Sequence, residues 1–194
     1  AITNFSSTML ILLDVTCLNT VLKDPTILAD YKVASSIPAA CIMIPSCLVT
    51  YFYPKLVKIY SEAPELFLAF IKKLTLLFVA VNTVVFVGLT ICAPLIVYIF
   101  YGEKYTNIVP IFRILSLNFF IFGSTRKLFG NVIAAMKKSE VNLVFSILSG
   151  IVNIVLNLLL IPMYGSIGAA IATVCVSCFM GLGCGIYLWR NIKK

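Results

Sequence analysis

Residues Asn153–Thr173, NIVLNLLLIPMYGSIGAAIAT, decide how this chain folds. The stretch reads as the end of one apolar helix, a turn of four or five residues, and the start of a second helix. Asn153 and Asn157 are four apart and share one helix face. Ile161-Pro162 is expected to stop the first helix, because the residue before proline disfavours the α region. Gly165 supplies a turn conformation closed to other residues. Gly168, Ala169, Ala170 and Ala172 open a second helix slim enough for close backbone contact. Asn153, Asn157, Pro162, Gly165 and Gly168 are thus the structural residues of a hairpin between two apolar helices.

The rest of the chain has the same character. Of its 194 residues, 61% are hydrophobic and 11% charged, with a mean hydropathy of +1.08. A soluble domain is about half apolar and a quarter charged. This much apolar side chain does not fit inside one small soluble core, so part of the solvent is lipid. Only helices and closed barrels satisfy their backbone in hydrocarbon. The apolar runs are about twice the length of a barrel strand and do not alternate. The fold class is therefore all-α integral membrane, a six-transmembrane-helix bundle. The spans fall at roughly 1–16, 33–53, 67–99, 107–135, 140–161 and 167–189, each near the ~20 residues that a crossing needs. Ala1 lies inside an apolar run with no charged leader before it, so the chain reads as a fragment that begins within a helix.

Basic residues alternate between the loops. Lys55, Lys58, Lys72, Lys73, Lys137, Lys138, Arg190, Lys193 and Lys194 fall at one set of ends, Lys23, Lys32 and Lys104 at the other. The positive-inside rule places the richer set, and the C-terminus, in the cytoplasm of a multi-pass cell-membrane protein. The formal net charge of +8 is thereby accounted for without nucleic acid. The Pro162–Gly165 turn then faces outward. Tyr98, Tyr101 and Tyr105 mark the outer interface, Tyr51, Tyr53 and Trp189 the inner one.

Each span carries a narrow polar face. Thr3, Ser7 and Asp14 lie on the first, Asn82 on the third, Ser124, Lys127 and Asn131 on the fourth, and Thr173 and Ser177 on the sixth. Serine, threonine and glycine in such faces serve helix packing. Charges cost more and either pair or face water. Lys127 and Arg126 lie about ten residues before Lys137, well inside the bilayer. Lys127 shares its face with Arg113, Ser124 and Asn131, so Lys127, Arg126, Arg113 and Asn131 are the candidate cavity-lining, substrate-binding residues. Arg126 points about 100° away and is read as pairing or holding a head group. Arg113 serves equally as an interfacial anchor. Asp14 is the one acid placed to touch the membrane; it pairs with a base, ends the first helix, or couples transport to a proton or sodium ion. At their depth in the outer half of the fifth span, Asn153 and Asn157 are read as interhelical hydrogen-bonding groups rather than ligand contacts.

Enzyme chemistry has little to draw on. The chain has no histidine, no acidic cluster and no phosphate-binding loop. Six of its seven cysteines sit in apolar runs as small packing residues, and Cys175-x-x-Cys178 lacks the context of a redox motif. The expectation is no enzyme, no cofactor and no metal.

Four stretches give the chain a family likeness. The opening hairpin is the most specific. Pro94-Leu95-Ile96-x4-Tyr101-Gly102-x2-Tyr105 is similar to an "FG-x-x-Y" outer loop, with Tyr101 in place of phenylalanine. Asp30-Tyr31-Lys32-Val33-Ala34 is similar to a "G-x-Y-x-x-A" segment, and Tyr53-Pro54-Lys55-Leu56 to "FP-x-L". In this order they resemble the C-terminal half of the O-antigen and teichuronic type flippases for lipid-linked oligosaccharides. These belong to the multidrug/oligosaccharidyl-lipid/polysaccharide exporter superfamily. The resemblance implies one lobe of a two-lobe exporter, with an N-terminal lobe or a partner subunit supplying the other. It also implies a polyprenyl-diphosphate-linked glycan as substrate, flipped by alternating access under an ion gradient or membrane potential. Two alternatives stay open: a multidrug or peptidoglycan-precursor exporter of the same superfamily, and a non-transporting membrane bundle that needs a partner.

Overall fold

The computed structural model describes residues 2–192, with side chains described from Leu12 to Asn191. Every element among them is helical: α1 (Ile2–Leu22), α2 (Pro25–Cys41), α3 (Met43–Glu62), α4 (Pro64–Ile91), α5 (Ala93–Tyr101), α6 (Val109–Ile121), α7 (Lys127–Ala135), α8 (Ser139–Tyr164) and α9 (Ser166–Ile192). A 3₁₀ turn, Glu103–Ile108, leads into α6, and a π-helical turn, Phe122–Arg126, joins α6 to α7. Five helical rods are long and apolar enough to cross a membrane: Pro25–Glu62, Pro64–Ile91, Glu103–Ala135, Ser139–Tyr164 and Ser166–Asn191. The described part of α1 adds a shorter apolar stretch, Leu12–Leu22. Thr3 and Ser7 of the first polar face, and Lys193 and Lys194 of the tail, lie outside the described side chains.

Several boundaries differ from the sequence expectation. The first helix does not end near residue 16 but runs to Leu22. Thr16 and Thr20 turn their hydroxyls back onto the carbonyls of Leu12 and Thr16, so the polar residues there do not break it. Asp14 is consequently inside a helix and does not end one. Lys23, at φ 51°, breaks the chain, and Asp24 caps α2 by accepting from the Thr26 amide at 2.9 Å. The Thr26 hydroxyl and amide together hold the Asp24 carboxyl below the usual carboxylate range. The second rod is likewise longer than 33–53, because Pro25 sits in the first turn of α2, where proline needs no N–H partner.

The hairpin that opened the sequence reading is tighter than expected. Pro162 lies inside α8 and does not stop it; the helix runs on to Tyr164. Proline there removes a single hydrogen bond in the last turn, and the helix tolerates that loss. The turn is not four or five residues but essentially Gly165, at φ +59°. Gly168 is where α9 meets α8 most closely: a Cβ on it would strike the carbonyl oxygen of Leu160.

Two rods form the centre. Half of the apolar window of Glu103–Ala135 and 56% of that of Ser166–Asn191 are buried, against 22% for each of the other three rods. α9 packs against α8 and α6; α1 lies on α8, α2 and α4 on α6, and α3 on α7. The apolar core has two large clusters and a small third one, Val176 with Met180, where α9 meets α8. One large cluster, with Tyr31, Ile108, Phe112, Phe119 and Ile161, fills the end near the α8–α9 turn. The other, with Leu56, Phe67, Phe78, Val132 and Leu188, fills the opposite end. Exposed lysines 55, 58, 72, 73, 137 and 138, with Arg190, ring that second end.

Candidate functional site

Between the two cores runs a belt of buried polar side chains: Asp14, Asn82, Ser124, Arg126, Lys127, Asn142, Ser149, Asn153, Asn157, Thr173 and Ser177. Their helices supply them at helical spacing, so each helix turns one polar stripe inward. The belt has two centres.

The first is Asp14, whose side chain is 0% exposed. Oδ1 accepts the Asn153 amide at 2.8 Å and the Asn157 amide at 2.7 Å. Oδ2 accepts the Thr173 hydroxyl at 2.6 Å and the Tyr31 hydroxyl at 3.1 Å. Four donors from α2, α8 and α9 thus converge on one carboxylate of α1. A carboxylate offers about four lone-pair sites, so the ionised group keeps a full complement of hydrogen bonds after losing water. Asn157 also donates to Asn153 Oδ1 at 3.1 Å, which fixes both amides on the face that their spacing set. The remaining oxygen, Asn157 Oδ1, is buried without a hydrogen-bond partner. The Thr173 hydroxyl is within 2.9 Å of the Ala169 carbonyl as well, so its single proton has two acceptors to choose between. A small pocket of about 30 Å³ touches Tyr31 and Thr173 from the other side and reaches Ser35 and Asn118; Asn118 accepts from Ser177 at 2.6 Å.

The second centre is the π-helical turn. Arg126 is 1% exposed and Lys127 4%. A π turn widens the helix by one residue, and here the Lys127 amide reaches back to the Phe122 carbonyl. Arg126 donates to Ser146 at 3.0 Å and, over a longer 3.4 Å, to Asn142, both on α8; it also contacts Cys184 of α9. These partners are neutral. Asn142 is itself held by the Gly130 carbonyl at 2.7 Å. On the opposite side of the turn Gly123 faces Asn82 of α4: a Cβ on Gly123 would lie 3.1 Å from the Asn82 Oδ1. Both polar atoms of Asn82, and Ser124 Oγ, are buried without partners.

The structure sorts the sequence-derived candidates. Arg126 is turned into the helix bundle, and Lys127 beside it is buried. Asn131 spends its amide on the Lys127 carbonyl of its own helix, at 2.7 Å. Arg113 is exposed and donates to the Thr90 carbonyl at 3.3 Å, apart from the buried pair. Asp14, Asn153 and Asn157, assigned to separate roles from sequence, form one cluster. Tyr31 and Thr173 were quoted from sequence only in a motif and a packing stripe; their i, i+4 neighbours gave no sign that they aim at Asp14. Among the described residues no group of three or more His, Cys, Asp or Glu side chains is placed to hold a metal.

No protein family, curated protein or solved structure matches the chain.

Proposed function

We propose that this chain is one six-helix lobe of a cell-membrane transporter, its basic end and C-terminus in the cytoplasm. Its substrate is a polyprenyl-diphosphate-linked oligosaccharide, moved across the membrane by alternating access with a second lobe or partner subunit. The observation that carries the reading is the adjacent buried pair Arg126 and Lys127, set at a π turn within the apolar rod Glu103–Ala135. Intramembrane cations are costly and mark substrate pathways, and π turns recur at functional positions. The hydrogen-bond partners of Arg126 being neutral, its charge stays available to a diphosphate once the lobes part. Arg113, exposed and apart from the pair, would meet the substrate only nearer the outer end, and Asn131 acts through the Lys127 carbonyl that it holds. Asp14 is the coupling group: a carboxylate within a ring of amides and hydroxyls takes up a proton or a monovalent cation as the lobe rearranges.

The buried acid also favours a second reading, a cation-exporting member of the same superfamily. Net charge separates the two, because a lipid diphosphate needs bases in its path and a cationic drug needs acids. The test replaces Lys127, Arg126 and Arg113 singly with alanine in the full-length gene and measures lipid-linked glycan export in a flippase-null host. Loss of export in the Lys127 and Arg126 variants, with normal membrane levels, supports the glycan reading. Wild-type export in all three overturns it.

A further inference from the structure

A groove of about 450 Å³ runs along the outside of the lobe between the π turn with α7 and the second half of α9. Thr125 and Phe129 form one wall, and Gly181, Leu182, Ile186 and Trp189 form the other. From Cys178 to Trp189 it follows α9 for about 16 Å at the usual helical rise. Its volume is within the roughly 300–1,000 Å³ of small-molecule sites, yet it offers almost no polar group.

The glycines do not mark a landing strip for another helix, because their missing side chains are already used inside the lobe. A Cβ on Gly181 would strike the Thr125 hydroxyl, one on Gly183 the Phe145 ring, and one on Gly185 would come within 3.4 Å of Phe129. They bring α9 close to its own neighbours and leave the groove open outward. Its rim is apolar and exposed, with Leu182 at 68%, Ile186 at 56% and Trp189 at 64%. A water-filled path between lobes would need polar walls, so this face meets hydrocarbon.

The groove ends at the basic end of the molecule. Trp189, a residue type that settles at head-group depth, is followed directly by Arg190. α7, which carries the opposite wall, is followed by Lys137 and Lys138, and all three cations are exposed. Hydrocarbon along Gly181–Ile186 and negative charge beside Arg190 and Lys137 is the chemistry of one amphiphile. We infer that the groove is a binding site for an anionic phospholipid of the leaflet at the basic end, one acyl chain lying between α7 and α9 and the head group held by Arg190 and Lys137. The inference needs only the membrane-spanning character of the helices, so it stands or falls apart from the transported substrate.

The test is native mass spectrometry of the purified full-length protein with phosphatidylglycerol or phosphatidylcholine added in equal amounts. Wild type retains phosphatidylglycerol preferentially. Leu182→Trp and Ile186→Trp, which fill the groove, lower retention about tenfold, the loss that follows from roughly two unburied methylenes. Leu76→Trp, the same enlargement at an exposed position of α4 that does not line the groove, keeps retention. Arg190→Gln and Lys137→Gln each cut the preference for the anionic lipid roughly fivefold, the usual surface contribution of one cation. Equal retention of both lipids, or phosphatidylglycerol binding unchanged in the filled variants, overturns the assignment. So does displacement of phosphatidylglycerol by an equimolar polyprenyl diphosphate, which gives the groove to a substrate tail instead.

Discussion

Asn157 Nδ2 lies 2.7 Å from Asp14 Oδ1, although 143 residues separate them in the chain. The contact closes the bundle: the helix before the Gly165 turn is pinned to α1 through a carboxylate that also holds α2 and α9. The tightest polar centre of the lobe is therefore a junction of four helices. A charge gained or lost there bears on all four helices at once, which is the premise of the coupling role proposed for Asp14.

Asp14→Asn is expected to fold almost as well as the native chain. Its amide oxygen keeps the two asparagine donors. Its NH₂ faces the Tyr31 and Thr173 hydroxyls, which accept as well as donate, and Thr173 sends its own proton to the Ala169 carbonyl. Unfolding in detergent stays within about 1 kcal/mol of wild type, one ordinary hydrogen bond. Asp14→Leu leaves the Asn153 amide and the Tyr31 hydroxyl without their carboxylate acceptor, while Thr173 and Asn157 keep the Ala169 carbonyl and Asn153 Oδ1; at about 1–3 kcal/mol for each orphaned group, the variant is expected to be clearly destabilised and to accumulate poorly. Substrate movement in Asp14→Asn that stays coupled to the wild-type ion would remove the coupling role from this residue.

The helices, the alternation of basic ends and the packing face of Asn153 and Asn157 were legible in the sequence because each rests on local spacing. Asp14 was recognisable as a costly intramembrane charge, but its partners come from three other helices, and no local pattern encodes them. Pro162 was misread for the opposite reason: the rule that proline stops a helix is local, and here close packing at Gly168 carries α8 past it. The π turn was not legible in the periodicity, because the polar positions on either side of it are too few to fix a phase shift of about 100°. Arg126 and Lys127 are adjacent and both buried, with Arg126 turned to Ser146 and Asn142 of α8, partners that local spacing does not encode.

Glycines at two positions are expected to respond in opposite ways to alanine. Gly150, in the middle of α8, has nothing within 4 Å of an added Cβ. Gly150→Ala gains helix propensity and stabilises by about 0.8–1 kcal/mol. Gly168→Ala drives a methyl group into the backbone of Leu160 and forces α8 and α9 apart at their closest approach, costing about 1–3 kcal/mol as overpacking does. Thermal unfolding of the two variants in the same detergent decides it; a Gly168→Ala variant that melts with wild type would mean that the hairpin is not as close as described.

Asn82 makes a different kind of prediction. An amide at 0% exposure with no partner for either polar atom carries a desolvation cost of about 1–3 kcal/mol. Asn82→Val, nearer in volume than leucine beside Gly123, is expected to stabilise the resting lobe. The same change is expected to slow transport if Asn82 finds its partner only when the π turn rearranges. Faster or unchanged transport in Asn82→Val would reduce Asn82 to an inert packing residue.

Arg126→Met separates a structural from a functional use of the buried cation. Methionine fills a similar length with no charge, and replacing a buried charged group by an apolar residue of like volume is often neutral or stabilising, by about 1–4 kcal/mol. Ser146 still donates to the Asn142 carbonyl at 2.7 Å and Asn142 Nδ2 to the Gly130 carbonyl at 2.7 Å; Asn142 Oδ1 gives up a long contact of 3.4 Å, a small loss beside the removal of a buried charge. The folded lobe therefore has little need of the guanidinium, and the variant is expected to match or exceed wild-type stability in a detergent melt. Glycan export is expected to fall sharply in the same variant, and Arg126→Lys to recover part of it, since an ammonium supplies the charge without the planar fork that grips a diphosphate in two places. A destabilised Arg126→Met with normal export per folded molecule would place Arg126 among the packing residues and leave Lys127 as the one buried base to test.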